Sequence, residues 1–300
     1  QTGGNVSNLA LTGGAANTPP QTLALDPTSS PGNLLLNVTG NGASLKYNNA
    51  GTNATWDLNT TANWDNGGAN DNFYNGDAVT FEDTVSPAGP YTVTLTGALL
   101  PSGVTFNTAK DITLAGAGTI GGSGLLTKSG AGNLNVTGGH GFSGGTVING
   151  GIVKMLAAGA LGTGSITVNN GGALDHNGLT QAAGVAITIA GAGPDGLGAL
   201  RSTSANNGAI NNLTLSGDAT IGGGNGRWDI GSSAIALNGG TFTLTKVGSN
   251  SPWFRSLSST TLGNLVINGG QFGVEPGNNA PGSTAYTATI NTGGELSSWG

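Results

Sequence analysis

Period-two alternation of apolar and polar positions dominates this chain. It runs through Asp111-Ile112-Thr113-Leu114-Ala115, Ser165-Ile166-Thr167-Val168-Asn169 and Ala186-Ile187-Thr188-Ile189-Ala190. It returns in Asn212-Leu213-Thr214-Leu215-Ser216 and Thr241-Phe242-Thr243-Leu244-Thr245. Each segment sets β-branched or apolar side chains on one face and Thr, Asn or Ser on the other, the mark of a half-buried strand. Helical spacing is scarce because glycine interrupts nearly every window of about ten residues. The best helical window, Val153-Lys154-Met155-Leu156-Ala157-Ala158, runs straight into Gly159. The pattern predicts an all-β chain.

Between the strands, Asn-Gly-Gly recurs at Asn149-Gly150-Gly151, Asn170-Gly171-Gly172, Asn238-Gly239-Gly240 and Asn268-Gly269-Gly270, with a variant at Asn291-Thr292-Gly293-Gly294. Asn and Gly tolerate positive φ, so such a triplet turns the chain sharply. Copies lie 21 residues apart from 149 to 170, 30 from 238 to 268 and 23 from 268 to 291. Periods of roughly 20–50 residues point to a solenoid or a propeller, although a hairpin meander uses Asn-Gly turns too. Composition decides between them. Glycine supplies 58 of 300 residues, aromatics only 5%, and Met occurs once. That suits the thin core and many corners of a parallel β-solenoid, with Thr, Ser and Asn stacked outside; a sandwich or propeller buries more large side chains. At about 20–25 residues per coil, ten or more coils are expected, a rod on the order of 50–60 Å long.

Charge narrows the partners. Fourteen acidic and eight basic residues give a net charge of −6 and a charged fraction of 7%, against about 25% in an ordinary domain. Eight scattered cations form no basic stripe, which argues against nucleic acid. Apolar runs such as Leu34-Leu35-Leu36 are too short to span a bilayer, so no membrane insertion by this chain is expected. The absence of cysteine excludes disulfides and thiolate metal sites. The chain opens on Gln1 without a leader, as a cleaved export signal or a trimmed sequence would leave it. At the other end Glu295-Leu296-Ser297-Ser298-Trp299-Gly300 stops inside a strand pattern, so a longer natural chain is expected.

One stretch resembles a known family. Ala117-Gly118-Thr119-Ile120-Gly121-Gly122-Ser123-Gly124-Leu125-Leu126-Thr127-Lys128-Ser129-Gly130-Ala131-Gly132-Asn133-Leu134-Asn135-Val136-Thr137-Gly138, with Phe142-Ser143-Gly144-Gly145-Thr146-Val147-Ile148-Asn149-Gly150-Gly151, closely resembles the autotransporter-associated β-strand repeat of secreted bacterial surface proteins. Leu125 departs from the pattern, which has Gly there. There is one good copy, with looser echoes towards the C-terminus. Trp56-Asp57, Asn63-Trp64 and Asn75-Gly76-Asp77-Ala78-Val79-Thr80-Phe81 resemble the module that precedes such repeats. The resemblance implies a right-handed parallel β-helix, exported and displayed on or shed from the cell surface as an adhesin, fibre or stalk. The family's C-terminal membrane barrel has no counterpart here.

The chain divides by composition. Residues 1–33, with Pro19, Pro20, Pro27 and Pro31, read as an extended arm or linker. Residues 34–110 read as an N-terminal cap and first coils, because Trp56, Trp64, Phe73, Tyr74, Phe81 and Tyr91 cluster there and a solenoid end must cover its strand edges. Residues 111–300 read as the parallel β-helix. No cap is visible at its C-terminal end, so an open end and a flexible arm suggest head-to-tail strand addition into a surface fibre.

Candidate chemistry is thin. The G-x-G-x-x-G matches at Gly116, Gly139 and Gly191 precede no helix and read as corners. Ser143 sits in a G-x-S-x-G run beside His140, but the run lies inside the repeat, and His176 is the only other histidine. Six acids fall between Asp57 and Asp83; of these, Asp65, Asp71 and Asp77 could offer oxygen ligands to Ca²⁺, against the commoner reading of Asp as a turn former. Trp56, Trp64 and Tyr74 could stack on a surface glycan, or pack in the cap. Arg201, Arg227 and Arg255 are dispersed along the sequence, as are the later acids. The sequence therefore favours a non-enzymatic, self-associating extracellular structural or adhesive protein. The alternative is a carbohydrate-active β-helix enzyme or glycan-binding module, which would bring three or more carboxylates or cations into one groove.

Overall fold

The computed structural model describes residues 22–26, 35–39, 41–182, 184–205, 210, 212–224, 226–231, 235–276 and 287–298. Among these, every regular element is a strand, and 25 strands join one continuous sheet that coils as a parallel β-solenoid of about 9 turns. At roughly 4.8 Å per turn the body is on the order of 40–45 Å long, shorter than the sequence suggested. Part of the difference is that the stacked strands begin at Ser44, and part is a long first turn, in which Leu45 is in register with Val79, 34 residues on. Later turns are tighter, 22 residues from Val104 to Leu126 and 20 from Thr146 to Ile166.

Two faces of the coil run the length of the molecule. The first stacks Ser44–Tyr47, Ala78–Glu82, Gly103–Asn107, Leu125–Lys128, Thr146–Ile148, Ile166–Val168 and Ala186–Gly191. The second stacks Tyr91–Leu95, Ile112–Gly116, Leu134–Val136, Gly151–Met155, Gly172–Asp175 and Leu200–Ser202. The alternation read from the sequence sets the inward rows. Ile112, Leu134, Val153, Leu174, Leu200 and Ile221 follow one another down the second face, each at most 1% exposed. Burying one such aliphatic side chain contributes about 1.5–3 kcal/mol, so each turn is stabilised mainly by its neighbours. In the C-terminal turns a further ladder joins Arg227–Ile230, the start of Ser251–Thr261, Gly270–Pro276 and Gly294–Ser298.

The N-terminal end of the coil is closed by aromatics. Trp64–Asn66 and Ala69–Asp71 form a hairpin whose first strand pairs antiparallel with Ser44–Tyr47. Trp64 packs against Tyr47, Trp56, Phe73 and Phe81 at ring-centroid distances of 5.3, 5.2, 6.2 and 5.7 Å. The buried Asn63 carboxamide ties the preceding loop, accepting from Gly51 N at 2.8 Å and donating to Thr55 O at 2.7 Å. Within the stretch read as an arm, Thr22–Asp26 is a strand paired antiparallel with Leu35–Thr39; the rest of 1–33 lies outside the described residues. In the last described turn the inward positions are uncovered: Ile290 is 49% exposed, whereas Ile267, its register partner, is 0%.

Two inward positions are lysines. Lys128 continues the row Phe81, Phe106, Lys128, Ile148, and Lys246 the row Ile221, Lys246, Ile267. Their stems pack like aliphatics while each ammonium reaches the corner carbonyls. Lys246 Nζ donates to Val247 O, Gly248 O and, one turn on, Gly269 O at 2.8, 2.8 and 3.0 Å. Lys128 Nζ donates to Gly130 O and to Gly150 O of the next turn. Leu-Thr-Lys-x-Gly thus grips the Asn-Gly-Gly corner that follows it, twice.

Burial pushes both ammonium groups from the ordinary 10.5 down to about 8. A folded value below the unfolded one means the folded chain binds fewer protons between about pH 8 and 10.5. Charged Lys128 and Lys246 therefore oppose folding below pH 8, and stability rises as the pH climbs through that window. Urea titrations at pH 7.5 and 9.5 are expected to show that rise, and the Lys128→Met/Lys246→Met double variant to lose it. A flat profile in the parent protein would contradict the assignment. Burial raises the Tyr47 hydroxyl, which works against stability only above about pH 10.

Candidate functional site

The residues singled out in the N-terminal segment are placed as structure. Trp56 and Trp64 are each 0% exposed inside the aromatic cap, so neither ring has a face to offer a sugar. Tyr74 is half-buried, its hydroxyl raised by burial and by the neighbouring Asp71 and Asp77. Asp77 caps a turn: its carboxylate accepts from Ala43 N and Tyr74 N, both at 2.7 Å. Asp65 accepts from Gly68 N at 3.0 Å, and Asp71 from Asn66 Nδ2 at 2.9 Å, within the hairpin. No group of three or more His, Cys, Asp or Glu among the described residues is placed to hold a metal ion. Ser143 Oγ donates to Gly122 O, and His140 Nδ1 accepts from Ile120 N. Both side chains serve the turn before them, and burial lowers His140 to about 4.

Coiling does bring together residues that the sequence scatters. Lys154, Asp175 and Arg201 are register neighbours on the outside of the second face. Asp175 accepts from Thr203 N at 3.1 Å and Thr203 Oγ1 at 2.8 Å and lies 3.7 Å from Lys154 Nζ, while Arg201 is bound by Asp195 at 2.8 Å. The larger assembly is on the C-terminal ladder. Arg227 and Arg255, far apart in sequence, share Asp229 and Glu275. Arg227 bonds Asp229 through Nε and Glu275 through Nη2 at 2.6 Å. Arg255 reaches Glu275 at 3.0 Å and Asp229 at 3.4 Å. The dispersal of arginines seen in the sequence is thus undone for these two.

An aromatic completes this patch. Trp253 Nε1 donates to Gln271 Oε1 at 3.2 Å, and Gln271 Nε2 donates to Glu295 Oε1 at 3.0 Å and Ser297 Oγ at 2.9 Å. The hydrogen-bonded array therefore crosses four successive turns. Burial would raise Glu275, but the hydrogen bonds from Arg227 and Arg255 hold its carboxyl below the ordinary range. Hydrogen bonds from Ser297 and Gln271 do the same for Glu295. These two carboxylates are ionised near neutral pH, so they accept hydrogen bonds and do not deliver protons.

Sequence reasoning missed this patch. Its only advance signal was the register 229, 253, 273, 297, which needs the turn lengths in hand. Comparison of the chain with family models, with curated proteins and with solved structures found no match.

Proposed function

We propose that this protein is a non-enzymatic, extracellular structural or adhesive rod whose work is to hold a stiff β-solenoid surface. One observation carries this reading: all eight cationic side chains are committed within the coil. Six lie in ion pairs with Asp or Glu and two in carbonyl cages. Charges spent on joining turns are not poised for general acid–base work, which needs a proton donor with a raised pKa or a free base. The resemblance of residues 117–151 to the autotransporter-associated repeat supports the surface setting. We leave head-to-tail strand addition out of this reading, because Ala78–Glu82 takes one edge of Ser44–Tyr47 and, on the other, Lys46 and Tyr47 pair with Asp65 and Trp64 of the hairpin.

The test is turnover. Incubated with neutral and uronate polysaccharides, the protein is expected to release neither reducing ends nor unsaturated products. Release of either by the purified protein, lost on Glu275→Gln, would replace this reading with the carbohydrate-active one.

A further inference from the structure

Four of the five tryptophans fall among the described residues, and three of them, Trp56, Trp64 and Trp228, are 0% exposed within the core cluster. Trp253 is different. It alternates with the core residue Phe254 on the outward side of the coil and stays outside that cluster, yet it is only 6% exposed because its neighbours cover it. Its indole lies flat over Gly273 of the next turn, where a Cβ would stand 2.1 Å from the ring, so only glycine provides this seat. The Arg227 guanidinium covers the opposite side, 4.8 Å from the ring centroid. The Arg227 side chain is itself 42% exposed, a long flexible cover over an aromatic face.

The surroundings define what could take that cover's place. The two guanidinium groups are paired with Asp229 and Glu275, and Glu295 adds a third carboxylate beside Gln271, so the patch has no unneutralised positive charge for a polyanion. Its apolar area is one indole, too little for a lipid or an apolar peptide. With Arg227 swung aside it would offer a flat ring together with the Glu275 and Glu295 carboxylates, the Gln271 carboxamide and the Ser297 hydroxyl, spread over roughly 14 Å. The complementary ligand is extended, close to neutral, rich in hydroxyls and flat on one C–H face.

We infer that the Trp253–Gln271 surface is a docking strip for a neutral polysaccharide lying along the rod, one sugar ring replacing the Arg227 guanidinium over the indole. This names the ligand class for the adhesive reading above and rests on it. Gln271, Glu295 and Ser297 then share hydrogen bonds with sugar hydroxyls. Arg227 retains Asp229, with which its Nε is bonded independently of the ring.

The experiment is affinity electrophoresis in native gels cast with neutral polysaccharides (β-glucans, mannan) or with polygalacturonate. The parent protein is expected to be retarded by at least one neutral polymer. Trp253→Ala should weaken that retention about tenfold or more, as loss of a central aromatic contact does. Trp253→Phe should keep most of it, and Arg227→Ala should bind as well as the parent or better, because the ring is uncovered. Should Trp253→Ala melt early by near-UV circular dichroism, the Phe and Arg227→Ala variants decide. No retention by any neutral polymer, retention by polygalacturonate alone, or equal loss in Arg227→Ala would each overturn the strip. If no product is released in the turnover assay, those outcomes leave the rod reading standing.

Discussion

Gly270→Ala is expected to lower the unfolding free energy by about 3 kcal/mol or more, and Gly240→Ala by only about 1 kcal/mol, although each glycine closes an Asn-Gly-Gly triplet. Both have left-handed backbones, φ 64° and 56°, so both variants carry the same conformational penalty. Space separates them. At Gly240 a Cβ meets nothing within 4 Å; at Gly270 it would stand 2.5 Å from Gly248 O, 2.8 Å from Asn250 O and 3.0 Å from Lys246 Nζ. Backbone oxygens cannot swing aside, so the corner must move, and moving it pulls Gly269 O from the buried ammonium. Gly151→Ala should behave like Gly270→Ala, since Gly132 O, Gly130 O and Lys128 Nζ stand 2.4, 2.7 and 2.7 Å from its Cβ position. Urea midpoints of the three variants check this. Equal losses at Gly240 and Gly270 would show that φ alone governs these corners and that the lysine cage contributes nothing.

That comparison marks where the sequence was readable. Alternation at 111–115, 165–169 and 186–190 became Ile112–Gly116, Ile166–Val168 and Ala186–Gly191, because a period of two has one meaning once glycine has removed helices. The Asn-Gly-Gly corners were legible for the same local reason. Even so, the asparagine stacked on Asn149 is Asn169, whose Nδ2 donates to Asn149 Oδ1 at 2.7 Å, not the Asn170 of the triplet. One extra corner residue shifts the register without disturbing the motif.

Longer-range features were hidden. A lysine in an alternating strand reads as solvent-facing, and nothing local announces that Lys128 and Lys246 hold inward positions capped by carbonyls from another turn. The Arg227–Glu275 contact joins residues 48 apart, across two turns of unequal length, so no fixed spacing points to it. The cap aromatics were visible as a cluster, but their choice between core and ligand platform depends on the hairpin at 64–71 folding back over Ser44–Tyr47. Local chemistry writes strands and corners; register, and with it every surface constellation, is a property of the stacked whole.

Trp64→Ala is expected to have the largest effect of any single side-chain truncation, about 3–5 kcal/mol. Trp64 is 0% exposed and central to the cap, touching four aromatic rings, and it is the cross-strand partner of Tyr47. Its removal leaves a cavity that the short hairpin cannot fill by collapse. Because each turn contacts chiefly its neighbours, the loss should be confined to the N-terminal end, with amide exchange accelerated across 44–74 and unchanged near 151–175. Trp64→Phe should cost much less, since it keeps a packed ring and removes a buried indole N–H that has no hydrogen-bond partner in the protein. A second consequence separates the cap's two roles. Opening the hairpin frees the outer edge of Ser44–Tyr47, which gives the exposed Thr287–Ile290 strand of another copy an edge to pair with head-to-tail. In sedimentation velocity the parent protein should then remain monomeric while Trp64→Ala associates with increasing concentration. A variant that loses the expected stability yet stays monomeric would show that the hairpin stabilises the end without guarding it.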